Sequence, residues 1–153
     1  MKAAIANYTW DAYLLIVRLW LGYAMISGGQ SILRFFSSQE LRDFFQNWFG
    51  NELGFPAPLL MAFLAKGTEF IGGILVCLGL LTRASALLIA VVMLTATLTA
   101  NLNYHNPTEP FLRQDGLVTI SSFLFACLFV LKGAGKFSLD KLLFKQTQTA
   151  VSN

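Results

Sequence analysis

Lys66 and Glu69 stand one helical turn apart inside FLAKGTEFIGGILVCLGLL, the stretch at residues 63–81. The rest of that stretch is apolar enough to cross a membrane. A charge at mid-bilayer costs about 2.5–3.5 kcal/mol on insertion scales, so such residues face a bundle interior and seek partners. A lysine or arginine there can hold an anion or a carbonyl oxygen by charge-assisted hydrogen bonds. A carboxylate there can act as a general acid or base toward a bound group. Lys66, Glu69 and Gly73 fall at i, i+3 and i+7, on one helix face. Arg18, Gly22, Met25 and Gly29 fall at i, i+4, i+7 and i+11, also on one face. Glycines at such positions, with Gly72 beside Gly73, let helix backbones approach. Counting residues inward from the span ends puts Arg18 and Glu69 at levels that differ by about 5 Å. The expectation is an Arg18–Glu69 ion pair, with Lys66 nearer the outer face. Glu69 is the candidate catalytic residue, and Arg18 and Lys66 are candidate ligand-binding residues.

Further polar residues define a second tier of candidates. Thr95, Thr99 and Asn103 recur at i, i+4 and i+8, with Thr97 and Asn101 beside them. Asp115, Thr119 and Ser122 recur at i, i+4 and i+7, and Gln30 closes the first apolar run. Gln30, Asn101, Asn103 and Asp115 could line a polar pocket with Glu69 near its floor. Against this, Thr and Ser in helices commonly bond their own backbone, and that is the favoured reading of the stripes. Metal and covalent chemistry have little support. There is one histidine, His105, so two histidines cannot hold a haem within one chain. Cys77 and Cys127 form no CxxC, and their estimated depths differ by roughly 10 Å, beyond disulfide reach. No phosphate loop, zinc spacing or serine triad is present.

The elements that must position these groups are membrane helices. The chain has 153 residues, enough for one domain, and is 56% hydrophobic and only 12% charged. Soluble domains carry roughly a quarter charged residues. Apolar runs fall at 12–33, 58–81, 84–104 and 115–131. The predicted architecture is all-α: a bundle of four transmembrane helices. The first run reads as a permanent helix, since no small-x-small cleavage site follows it. Between spans one and two, Leu41, Phe44, Phe45, Trp48 and Phe49 share one face of an amphipathic helix at 38–49. Its aromatics suit the membrane interface or a lid over a site between the spans, and Ser37 with Glu40 has capping-box spacing. LGLLTRAS allows only a tight turn around Thr82–Arg83, which makes spans two and three antiparallel neighbours. Ser138 can cap a short helix after span four. One domain thus covers 1–145, with a disordered tail at 146–153. Lys2, Arg83, Lys132, Lys136, Lys141 and Lys145 share one side, and Arg34, Arg42 and Arg113 the other. The positive-inside rule then places both termini in the cytoplasm. The net charge of +3 suits anionic lipid and gives no sign of nucleic-acid binding.

The order of these features resembles the DoxX family of small bacterial four-helix membrane proteins. The matching stretches are VRLWLGYAMISGGQSIL, the run ELGFPAPLL through VVMLTA, and GAGKFSLDKLL, together spanning about 12–145. The most specific parts are Glu69 followed by Gly72 and Gly73, the GLLTR turn, and the closing GxGKFSLD. The family's first span often ends in glycine with a lysine nearby; here Gln30 and Arg34 stand in that region. The resemblance implies a bacterial inner-membrane protein. The related DoxD proteins are subunits of a thiosulfate:quinone oxidoreductase, and some relatives are linked to a superoxide dismutase and a sulfurtransferase. The resemblance thus implies a membrane subunit coupling sulfur, thiol or oxidative-stress chemistry to quinone, with a redox partner protein, lipid contacts and a surface that permits a homo-oligomer. No covalently bound cofactor is expected. The alternative is a non-catalytic anchor, assembly factor or small permease.

Overall fold

A computed structural model describes residues 2–101, 114–135 and 138–141, with side chains over 9–99, 116–135 and 138–141. Among them, five α-helices run in chain order: α1 Lys2–Gly29, α2 Gln39–Asn47, α3 Pro58–Leu78, α4 Thr82–Ala96 and α5 Gln114–Lys132. A 3-10 turn, Gln30–Arg34, extends α1, and π-helical turns Trp48–Glu52 and Thr97–Asn101 extend α2 and α4. There is no strand among the described residues. The four long helices close a ring of contacts, α1 to α3, α3 to α4, α4 to α5 and α5 to α1. The expected tail at 146–153 lies outside the described residues.

Three helical stretches are long and apolar enough to cross a membrane: Thr9–Arg34, Pro58–Leu78 and Thr82–Thr99. The apolar part of α5, Gly116–Lys132, is shorter. Ile16, Tyr23, Ile71, Leu88, Leu124 and Leu131 are all exposed on the outside of the bundle. That is the distribution of helices that meet lipid rather than water.

The tightest packing is between α1 and α3, and glycine makes it possible. A Cβ on Gly73 would stand 2.9 Å from the Gly22 carbonyl oxygen and from the Ile26 nitrogen. A Cβ on Gly29 would stand 2.8 Å from the Lys66 carbonyl oxygen. Gly72 points the other way, toward Ile89 of α4, where a Cβ would meet Cγ1 at 3.2 Å. Leu21, Val76, Ile89 and Phe129, one from each long helix, are fully buried where the four meet.

Pro58 starts α3, where its missing N–H would have no helical partner. Gly79 ends it at φ 70, a left-handed conformation that costs glycine little. Leu80 N–H then bonds the Leu75 carbonyl (2.9 Å) and Gly79 N–H the Val76 carbonyl (3.1 Å). This is a Schellman ending, and it reverses the chain in the space of three residues. Leu81, before α4, is also left-handed at φ 48, a conformation disfavoured for a branched side chain.

Helix α2 begins one residue later than its capping-box spacing suggests. Ser38, not Ser37, is the N-cap and accepts from Leu41 N–H at 3.2 Å. Ser37 instead donates to the Arg34 carbonyl, because the preceding 3-10 turn runs on to that point. Phe45 and Phe49 are buried against Phe35 and Ala62, so the aromatic face of α2 rests on the first turns of α3. Phe44 remains exposed on its flank.

Candidate functional site

Two polar clusters occupy opposite ends of the α1–α3 seam. At the end nearer α2, Lys66 Nζ lies 2.8 Å from Glu69 Oε2. The two side chains retain only 17% and 8% of their exposure. The i, i+3 spacing brings them together on one turn of α3. The wall opposite is the backbone of α1 at Gly28 and Gly29. A Cβ on Gly28 would stand 3.0 Å from Glu69 Oε2, and Gly28 is itself exposed. The carboxylate therefore lies beside the outer surface, at a point where α1 has no side chain to cover it. Lys66 is the hydrogen-bonding partner of Glu69 among the described residues. Glu69 Oε1 and two of the three Lys66 N–H groups are left to bond something else.

Arg18 is not part of this pair, which corrects the sequence expectation. Its Nη1 donates to the Ala134 carbonyl at 3.0 Å, and a Cβ on Gly79 would stand 2.6 Å from the same nitrogen. Gly79 is ten residues past Glu69 on the chain, roughly 15 Å along the helix. Counting from span ends failed because it sent the guanidinium toward the bilayer centre. A long arginine side chain instead runs to the nearer end of the bundle, where backbone carbonyls are available.

There Arg18 joins a clasp of four chain segments. The Asp140 carboxylate accepts from Leu81 N–H through Oδ1 (2.8 Å) and from Thr82 N–H through Oδ2 (3.0 Å). It caps the N-terminus of α4 from 58 residues away in sequence. Asp140 N–H returns a bond to the Gly79 carbonyl at 2.9 Å. Ser138 Oγ donates to the Gly135 carbonyl and accepts from Lys141 N–H at 3.3 Å, the cap expected from the sequence. Asp11 is buried beside the strap, its Oδ1 3.6 Å from where a Cβ on Gly135 would be. Sequence reasoning gave no role to Asp11, Gly28, Gly79, Ala134 or Asp140. The signal was present for the clasp, since GLLTR and GxGKFSLD stood out as specific runs, and they are the two segments that meet here.

The second-tier candidates do not converge on Glu69. Gln30 is exposed in the 3-10 turn. Thr95, Thr97 and Thr99 donate to the carbonyls of Val91, Met93 and Thr95, each four residues back. Thr119 bonds Gly116 in the same fashion. Asn101 ends the π turn after α4 and Asp115 lies in the first turn of α5; their side chains, and Asn103 and His105 entirely, lie outside the described residues. Cys77 and Cys127 are both free thiols. Among the described residues no group of three acidic, histidine or cysteine side chains could hold a metal.

Compared with known proteins, residues 13–102, more than half of the chain, match the family model described as DoxX. No curated protein and no solved structure matches. The matched region contains α1 from Tyr13 onward, α2, α3, α4, the Lys66–Glu69 pair and the Gly79 turn, and stops before the segment after α5 that carries Asp140.

Proposed function

This chain belongs to the DoxX family, and on that premise we propose that it is the membrane subunit of a redox system in which the Lys66–Glu69 pair binds the head group of a quinone. The observation that carries the reading is the position of the pair. It is buried between helices, it has unused donors and an unused acceptor, and Gly28 opens it sideways toward the apolar surface. A ligand dissolved in lipid reaches such a site without leaving the bilayer. The residues fit a quinone: Lys66 offers N–H donors to one carbonyl oxygen, and Glu69 is placed to move a proton at that oxygen. A bound quinone would supply the capacity to accept two electrons with two protons. The chain's own residues bind and orient it and exchange protons with it. The electrons come from a sulfur, thiol or reactive-oxygen substrate handled by a redox partner protein.

In this reading α5 is the fourth span, α2 lies at the outer interface, and both termini are on the cytoplasmic side of a bacterial inner membrane. The lysine and arginine distribution supports that orientation. A second reading, a non-catalytic anchor, assembly factor or small permease, draws on the clasp. Arg18 bonds the Ala134 carbonyl there, which leaves one charge pair rather than three buried charges beside Glu69.

The test is to extract the protein in native lipid discs and identify the bound small molecules by mass spectrometry, for wild type and Glu69→Gln. Quinone enriched with wild type and lost from the variant supports the redox reading. Phospholipid alone, identical in both, moves the assignment to the anchor.

A further inference from the structure

A different site lies at the clasp end of the bundle, on the seam between α1 and α5. Thr9, Trp10, Tyr13 and Leu128 line an open groove of about 500 Å³. Trp10 and Tyr13 stack with ring centroids 5.6 Å apart, yet each keeps 47% of its exposure. Neither the indole N–H nor the phenol O–H has a hydrogen-bond partner among the described residues. Buried or half-buried rings of this kind usually find a partner for the polar tip. Lys132 follows Leu128 by one turn on the same stripe of α5, exposed and without a partner among the described residues. Arg83 lies against Gly133, the next residue: a Cβ there would be 3.4 Å from its Nε. Asp11, the acidic neighbour on α1, is buried with its Oδ1 3.6 Å from where a Cβ on Gly135 would be, and Asp140 is bonded to the α4 N-terminus.

We propose that this groove is a specific site for an anionic phospholipid: an acyl chain lies along Leu128 and the two rings, and the phosphate is held at Lys132. Leu128 gives the groove an apolar wall, Trp10 and Tyr13 give it amphipathic rings, and Lys132 adds a cation one turn further along α5. Aromatic residues of this type sit at headgroup level in membranes, and a lysine there adds attraction for anionic lipid. The site is separate from Lys66–Glu69, so it stands whether or not a quinone binds there.

The test titrates the detergent-solubilised full chain with phosphatidylglycerol and with phosphatidylcholine, reading bound lipid by native mass spectrometry. The variants are Lys132→Gln, Tyr13→Ala and, as a cation of the same end off the groove, Lys141→Gln. All three positions are exposed, so the fold is retained. Phosphatidylglycerol binds wild type more tightly than phosphatidylcholine. Lys132→Gln weakens that binding about fivefold, Tyr13→Ala also weakens it, and Lys141→Gln leaves it unchanged. Equal binding of the two lipids by wild type overturns the proposal. So does an equal loss in Lys132→Gln and Lys141→Gln, which means diffuse charge, or full binding by Tyr13→Ala, which means the groove is not used.

Discussion

The two polar clusters on the α1–α3 seam contain similar residues and behave differently. At the clasp, Arg18 is bonded to the Ala134 carbonyl and Asp140 to the N–H groups of Leu81 and Thr82. At the other end, Lys66 and Glu69 bond each other and leave donors and an acceptor over. Charges committed to backbone groups from distant segments fix a fold, because each bond ties down chain that would otherwise be loose. A charge pair that holds only itself fixes little, being one turn of one helix, yet it still carries the desolvation cost of burial. Buried charge is therefore not by itself a sign of chemistry. What distinguishes the pair is that its two charges bond each other on one turn of one helix, whereas those of the clasp tie distant segments together.

That comparison can be broken by mutation, and the largest effect belongs to the clasp. Arg18→Ala removes a buried cation from the Ala134 carbonyl and leaves a void, at an expected cost of about 3 kcal/mol, read by unfolding in detergent. Asp140→Ala strips the α4 N-terminus of its cap and releases the strained Leu81 turn. Its cost is about 2 kcal/mol, and Asp140→Asn, with one acceptor oxygen left, should lose about half as much in the same assay. Glu69→Gln keeps an acceptor for Lys66 and should cost about 1 kcal/mol or less, while bound ligand is lost. If its destabilisation matched that of Asp140→Ala, the contrast between the two ends would collapse. Thr95→Val is the smallest change. The hydroxyl serves only its own helix, so stability should move by about 0.5 kcal/mol or less.

The helices were legible in the sequence because bilayer thickness sets their length and glycines mark their contacts. Gly22, Gly29 and Gly73 share the α1–α3 seam because their spacing repeats at the helical period. The Lys66–Glu69 pair was visible for the same local reason, being one turn of one helix. The Arg18 partner was not, because it depends on how far a flexible side chain reaches and on a backbone carbonyl 116 residues away. The α4 cap was hidden similarly: a local N-cap is read from the preceding residue, and here that residue is Leu81, while the carboxylate comes from beyond α5. The approach of Glu69 to the bare backbone of α1 depends on Gly28, which no periodic argument singles out, since it lies one residue from the glycine that packs.

The most direct test of the division between the two ends compares Glu69→Gln and Asp140→Ala in the same native lipid discs, measuring unfolding temperature and bound quinone on each sample. Glu69→Gln is expected to melt close to wild type without quinone. Asp140→Ala should melt well below wild type but, while folded, still carry it. Quinone retained in Glu69→Gln, or lost from folded Asp140→Ala as fully as from Glu69→Gln, would overturn that division.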